Sequence, residues 1–174
     1  MSLSTLLIQE LKQESESTRK ILSRVPDTQN DWKPHEKSFT LARLAAHVAE
    51  MPQWAARIID ADDFDFMANP YKSISFETNA ELMDFFELKL NEAIASLQNA
   101  SDEKLMQQWT FRRGEHVITQ NTRYASIRGW LFNHMIHHRG QLSVYLRLLD
   151  VPVPGIYGPS ADDIIERQRA AAAQ

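Results

Sequence analysis

Near the start of the chain, Leu3, Leu6, Leu7, Leu11, Thr18, Ile21, Leu22 and Val25 recur at three- and four-residue steps. That is the period of a helix with one buried face, and Pro26 closes it, so a helix is predicted over residues 3–25. After a polar connection over residues 31–38, the pattern resumes at Leu41, Leu44, Ala45, Val48, Met51, Ala55, Ile58 and Ile59. Thr40 supplies an N-cap for this second helix, and Pro52 predicts a kink in it. Residues 60–77 hold no sustained period and carry Asn69-Pro70, which predicts a long crossover loop. Thr78-Asn79-Ala80-Glu81 has the form of a capping box, and Leu82, Phe85, Phe86, Leu90, Ala93 and Leu97 carry a third helix.

Between Trp109 and Thr119, Gly114 separates two short stretches rich in aromatic and β-branched residues, which predicts a small hairpin. The helical period then returns at Tyr124, Ile127, Leu131, Met135, Leu142, Tyr145 and Leu149, defining a fourth and longest helix over residues 121–149. The Asp150 to Gly155 segment, with two prolines, ends it, and Ser160 caps a short final helix that runs into an alanine-rich tail. The expected fold is all-α. It is a four-helix bundle with a long crossover between helices two and three, a small β-hairpin and a short C-terminal helix, forming a single domain over residues 1–174.

Composition narrows the function classes. With 174 residues and 43% hydrophobic content, the chain can bury one sizeable core. Its 19 basic and 23 acidic residues leave a net charge of −4, and no Lys/Arg run offers a footprint for phosphate backbones, so nucleic acid is not an expected partner. No stretch approaches the roughly 20 apolar residues that span a bilayer. The N-terminal MSLSTLLIQELKQE has acids and a helical period instead of a basic start and an apolar run, so no membrane partner is expected and the expected location is the cytoplasm. The chain has no cysteine, which excludes disulfides, thiolate metal ligands and a sulfur nucleophile of its own. Thiol chemistry would need an external thiol.

The histidines carry the candidate chemistry. His134 and His138 lie about 40° apart around helix four, so both imidazoles can face one centre. His138 falls near the midline of the apolar stripe and His134 on its inner flank, whereas His137 lies about 100° away and belongs at the rim. Inward imidazoles need partners, either neighbouring side chains in an ordinary core or a shared metal ion. His47, among Leu44, Val48 and Met51 on helix two, offers a third nitrogen. Three nitrogens leave coordination positions open, as in catalytic metal sites.

Around this set, Gln141 follows His138 on the same face, either to orient a substrate or water or to serve as a hydrogen-bond partner on the helix. Tyr145 can reach the site with its hydroxyl or pack in the core. Glu50, three residues after His47, reads as a solvated helix residue more than as a carboxylate behind a ligand. Gly140 in mid-helix suggests close approach of another backbone. Trp32, Trp54, Trp109 and Trp130 read as core or interface anchors.

The segments LARLAAHVAEMPQW, with His47, and NHMIHHRGQLSVYLRLLDVPVPGIYGPSADD, with His134 and His138, resemble the DinB-like (damage-inducible) four-helix bundle proteins. The resemblance spans most of the chain and is strongest from Gly129 to Asp163. It implies an up-down-down-up bundle, a homodimer, and a divalent metal held by His47, His134 and His138. Zinc and nickel are the ions first expected; iron, manganese and copper also suit imidazole ligands. Relatives in this family use the metal to activate a low-molecular-weight thiol, as S-transferases or as mycothiol-dependent maleylpyruvate isomerases. The expected activity is therefore a metal-dependent transferase or hydrolase that activates a thiol cosubstrate or water against a small electrophilic substrate. The alternative is a non-catalytic, stress-related or small-ligand-binding protein with a structural metal, favoured by the lack of an obvious paired acid or base. The loop over residues 60–77 and the tail around Tyr157 are expected to line any pocket.

Overall fold

The computed structural model describes residues 1–72 and 74–173; Ser73, within the predicted crossover, and Gln174, the last residue of the predicted domain, lie outside the described residues. Helix α1 spans Leu3–Leu22, with the Ser2 side chain accepting from the Thr5 N–H. It stops three residues short of the predicted end. Arg24 and Val25 fold back through N–H bonds to the Ile21 and Leu22 carbonyls, as expected before Pro26, which disfavours helical backbone in the residue ahead of it.

The predicted second helix is two pieces, α2 (Leu41–Glu50) and α3 (Gln53–Asp60). Met51 and Pro52 keep helical dihedrals, but the bonds tighten to three-residue steps, with the Met51 N–H on the Val48 carbonyl at 3.4 Å and the Trp54 N–H on the Met51 carbonyl at 3.1 Å. The kink expected from proline's missing N–H is deep enough to divide the helix.

Strand β1 (Asp63–Asp65) lies inside the stretch predicted as irregular crossover. It pairs in parallel with β2 (Gln108–Arg113), which pairs antiparallel with β3 (His116–Thr122). The hairpin is where its sequence placed it, with Gly114 at φ 59° supplying the left-handed turn residue. The third strand is too short to show a period. Arg112 holds it in place, donating to Asp63 at 2.5 Å and to Asp65 at 2.6 Å across the β1–β2 pair.

Helix α4 (Asn79–Gln98) begins with the complete Thr78–Glu81 capping box, and a short α5 (Asp102–Met106), not expected from the pattern, follows Ser101. The fourth long helix starts two residues later than predicted because Asn121 and Thr122 belong to β3. It runs through α6 (Arg123–Ile127), a π-helical stretch (Arg128–Asn133) and α7 (His134–Leu148) without leaving helical backbone. It ends on Asp150 in the left-handed conformation, φ 55°, with the Val151 N–H turned back to the Leu146 carbonyl. Ser160 and Asp163 box the start of α8 (Ala161–Ala172).

Helix α4 packs against α1, α2 and α3, and α7 closes against α2. Leu11, Leu44, Phe86, Leu90, Met135 and Leu142 fill the space between them. The predicted helical bundle is present, joined by a small three-stranded sheet in place of a lone hairpin. Among the described residues no helix is long and apolar enough to cross a membrane.

Candidate metal centre

The packing of α2 on α7 brings His47 against His134 and His138. Each of the three offers a nitrogen, and these atoms all lie within 4.8 Å of one another. The ring centroids are 5.1 Å apart for His47–His134, 4.5 Å for His47–His138 and 4.6 Å for His134–His138. All three rings are half-buried, and His137 is exposed, as its angular position predicted. The π-helical stretch ends on the residue before His134. Such stretches are frequent at functional sites, because the wider turn re-aims the side chains that follow.

The outer nitrogens are held by neighbours on the same helices. Nδ1 of His47 is 2.5 Å from Oε1 of Glu50, and Nδ1 of His138 is 2.7 Å from Oε1 of Gln141. A carboxylate and an amide oxygen only accept, so each Nδ1 carries a proton, which in a neutral ring leaves the lone pair on Nε2. Nδ1 of His134 is buried with no hydrogen bond of good geometry, although the Trp130 carbonyl one turn back favours its protonated form.

Burial pushes the His138 pKa down to about 4, and repulsion from His47 and His134 adds to this against the Gln141 bond. Burial, followed by His47, lowers His134 as well. These two rings are therefore neutral at pH 7, the state a metal ligand requires.

The donor set fits a divalent ion. Imidazole nitrogens bind zinc at about 2.0–2.1 Å, so two ligands of one ion stand at most about 4.2 Å apart, a spacing close to the 4.8 Å within which these nitrogens lie. Hydrogen-bonded partners behind the ligands are a regular feature of such sites.

Glu50 is one of those partners and not the solvated residue its sequence position suggested: it is 2% exposed, and it also accepts from the Tyr71 hydroxyl at 3.2 Å. Gln141 is occupied by His138, and the Tyr145 hydroxyl donates to the Phe39 carbonyl at 3.2 Å. Gly140 faces open space, since a Cβ added there would meet nothing within 4 Å. The close backbone approach expected for it is absent within the described chain.

His47 and His134 line an open cleft of about 1110 Å³. Phe64, Phe66 and Tyr71 of the crossover form one wall, as expected for that segment, while Trp54 and Trp130 stand beside the histidines. The tail does not contribute: the Tyr157 hydroxyl is bound to Glu14 and Arg139 instead. Arg43 and Arg57 also line the cleft and were not singled out from sequence. The signal existed, because residues 43, 47, 50, 54 and 57 follow one another at steps of four and three along α2 and α3.

The sequence profile of the DinB family matches residues 1–169. The Bacillus subtilis (strain 168) protein YrdA, itself uncharacterised, is 29% identical over 154 residues, spanning 86% of this chain and 85% of its own. Two crystal structures share the fold. A DinB-like protein from Bacillus subtilis superposes with a TM-score of 0.69 at 18% identity, covering 89% of this chain and 99% of its own. One from Bacillus cereus ATCC 10987 gives 0.68 at 20% identity, covering 90% and 98%.

Proposed function

The chain belongs to the DinB family, and from that premise we propose that His47, His134 and His138 hold one divalent metal ion, zinc or nickel first among those that suit imidazole, in an enzyme that activates a low-molecular-weight thiol or water against a small electrophile. The observation that carries this reading is the convergence of three imidazole nitrogens within 4.8 Å from two helices. Bound there, an ion with open positions supplies Lewis acidity that lowers the pKa of a thiol or water.

The chain's own residues prepare the rest. Glu50 accepts a hydrogen bond from His47 Nδ1, which fixes the ring and strengthens its other nitrogen as a ligand. Gln141 does the same for His138 with a neutral acceptor. Trp54 and Trp130, with ring centroids 5.6 Å apart, give an electrophile an apolar seat beside His134. Phe64, Phe66 and Tyr71 line the same cleft, with the Phe64 ring centre 5.4 Å from that of Trp54, and extend its apolar surface.

Titration of metal-free protein with cobalt(II) and zinc(II) tests the reading. One equivalent is expected to bind, and His138→Ala is expected to lose it. A wild-type protein that takes up no first-row divalent ion sinks the proposal. A metal-loaded protein that turns over no electrophile with any of a panel of small thiols keeps the ion site and removes the catalytic part.

A further inference from the structure

Arg57 sits in the cleft with its guanidinium carbon 5.1 Å from the Trp54 ring centre and 5.0 Å from that of Phe64. The side chain is half-buried, and no hydrogen bond or ion pair joins it to another of the described residues. Other arginines of the chain are treated differently. Arg19, Arg112 and Arg147 are each hydrogen-bonded to a carboxylate, which raises their pKa, whereas burial lowers that of Arg57. A cation has been partly stripped of water and set against aromatic faces, with the Glu50 charge acting on it only through space. Arg43 also lies against aromatic rings, 4.8 Å from the centre of Phe39 and 4.4 Å from that of Tyr71, but its Nη1, which makes no hydrogen bond, has the Glu50 carboxylate 4.0 Å away.

We propose that the compound bound in this cleft is a carboxylate with an apolar body, its carboxylate gripped by Arg57 and its body laid over Trp54 and Trp130 toward the histidines. The inference rests on the reading that this cleft serves the metal centre. The planar fork of a guanidinium matches the two oxygens of a carboxylate, and a low-dielectric aromatic setting strengthens that pair. Four basic side chains, Arg43, Arg57, Lys72 and Lys89, line the cleft against two acids, Glu50 and Asp63, in a chain whose net charge is −4. Lys89 is already paired with Glu92 at 2.8 Å. Asp63 is likewise paired, with Arg112 at 2.5 Å, which leaves Arg43, Arg57 and Lys72 against Glu50, an excess that suits an anion. Trp54 and Trp130 lie between Arg57 and His134, with the Trp130 and His134 ring centres 6.1 Å apart, so a ligand touching both ends must have an apolar middle.

Naphthalene-2-carboxylate and its neutral carboxamide, titrated at pH 8 with tryptophan fluorescence as the signal, separate charge from shape. The protein as isolated and after chelation is expected to bind the carboxylate at least about tenfold more tightly than the amide. Arg57→Gln should bring the two dissociation constants together by weakening only the carboxylate, and Arg43→Gln should leave the preference in place. Equal binding of the two probes, a preference that survives Arg57→Gln, or one that vanishes on chelation overturns the inference. Cobalt(II) titration of the same samples keeps the two readings apart. Carboxylate preference without metal uptake leaves Arg57 its role and removes the metal centre; metal uptake without preference does the reverse.

Discussion

His138 and Arg139 are neighbours on α7, and the helix sends them to opposite kinds of surroundings. Arg139 points to α1, where it is 2% exposed and every contact is complementary. Nη1 donates to the Glu14 carbonyl at 2.9 Å and to Thr18 at 3.2 Å, and Nη2 reaches the Glu14 carboxylate at 2.5 Å. The Tyr157 hydroxyl closes the cluster by donating to Glu14 at 2.8 Å. On the other side, His138, His134 and His47 bring together groups of one kind, three imidazoles with ligand nitrogens within 4.8 Å of one another. A polar cluster that satisfies itself holds a fold together; one that satisfies only its outer atoms is prepared for something from outside.

The largest test of this contrast is Arg139→Ala. It leaves the Glu14 carboxylate buried without a counter-charge, and a loss of about 3–5 kcal/mol in folding stability is expected from urea denaturation. Stability near wild type would show that the satisfied cluster contributes nothing to the fold. Next comes Glu50→Gln on the unsatisfied side. It keeps the size and a hydrogen bond but removes the charge behind His47, so metal affinity should fall about 10- to 100-fold. An unchanged affinity would detach Glu50 from the centre.

The pH dependence of the metal-free protein is expected to be smaller and to come from the histidine side. The folded pKa of His138, about 4, lies below its ordinary 6.5, so the unfolded chain binds the proton more readily. The contribution to stability is complete above about pH 6.5 and is lost as the pH falls toward 4. Asp65, Asp162 and Asp163, whose pKa values are lowered by backbone or arginine hydrogen bonds, lose their contributions only below the ordinary carboxylate range. Thermal midpoints between pH 7 and 4.5 should therefore slope downward in the wild type and less in His138→Gln; parallel slopes would contradict it. The smallest effect is Gly140→Ala. With open space around it, the added methyl should stabilise the helix by up to about 1 kcal/mol. A loss would place another chain against that face.

How much of this was legible follows from the range over which each signal acts. Capping and proline are local, so the Thr78–Glu81 box, the kink at Pro52 and the Gly114 turn were all readable from a few residues. The pairing of His134 with His138 and the exclusion of His137 came from angle alone, since one turn of helix fixes both. The five-residue succession from Arg43 to Arg57 was also on the page, but beside a stronger apolar stripe its meaning was hidden. Strand β1 was not, because three residues form a strand only when Arg112 and β2, more than forty positions away, receive them.

Sequence by itself therefore determined the long helices, the caps that start several of them and the two histidines that share a turn, since each depends on backbone geometry and near neighbours. Only the tertiary structure decided what those side chains meet. Packing α2 on α7 set His47 within reach of the pair and buried Glu50 behind it, packing α1 on α7 gave Arg139 an acid, and Arg57 was left with no acid in hydrogen-bond reach. Those outcomes depend on which surfaces are pressed together and emptied of water, and that is a property of the packed chain and not of any single helix.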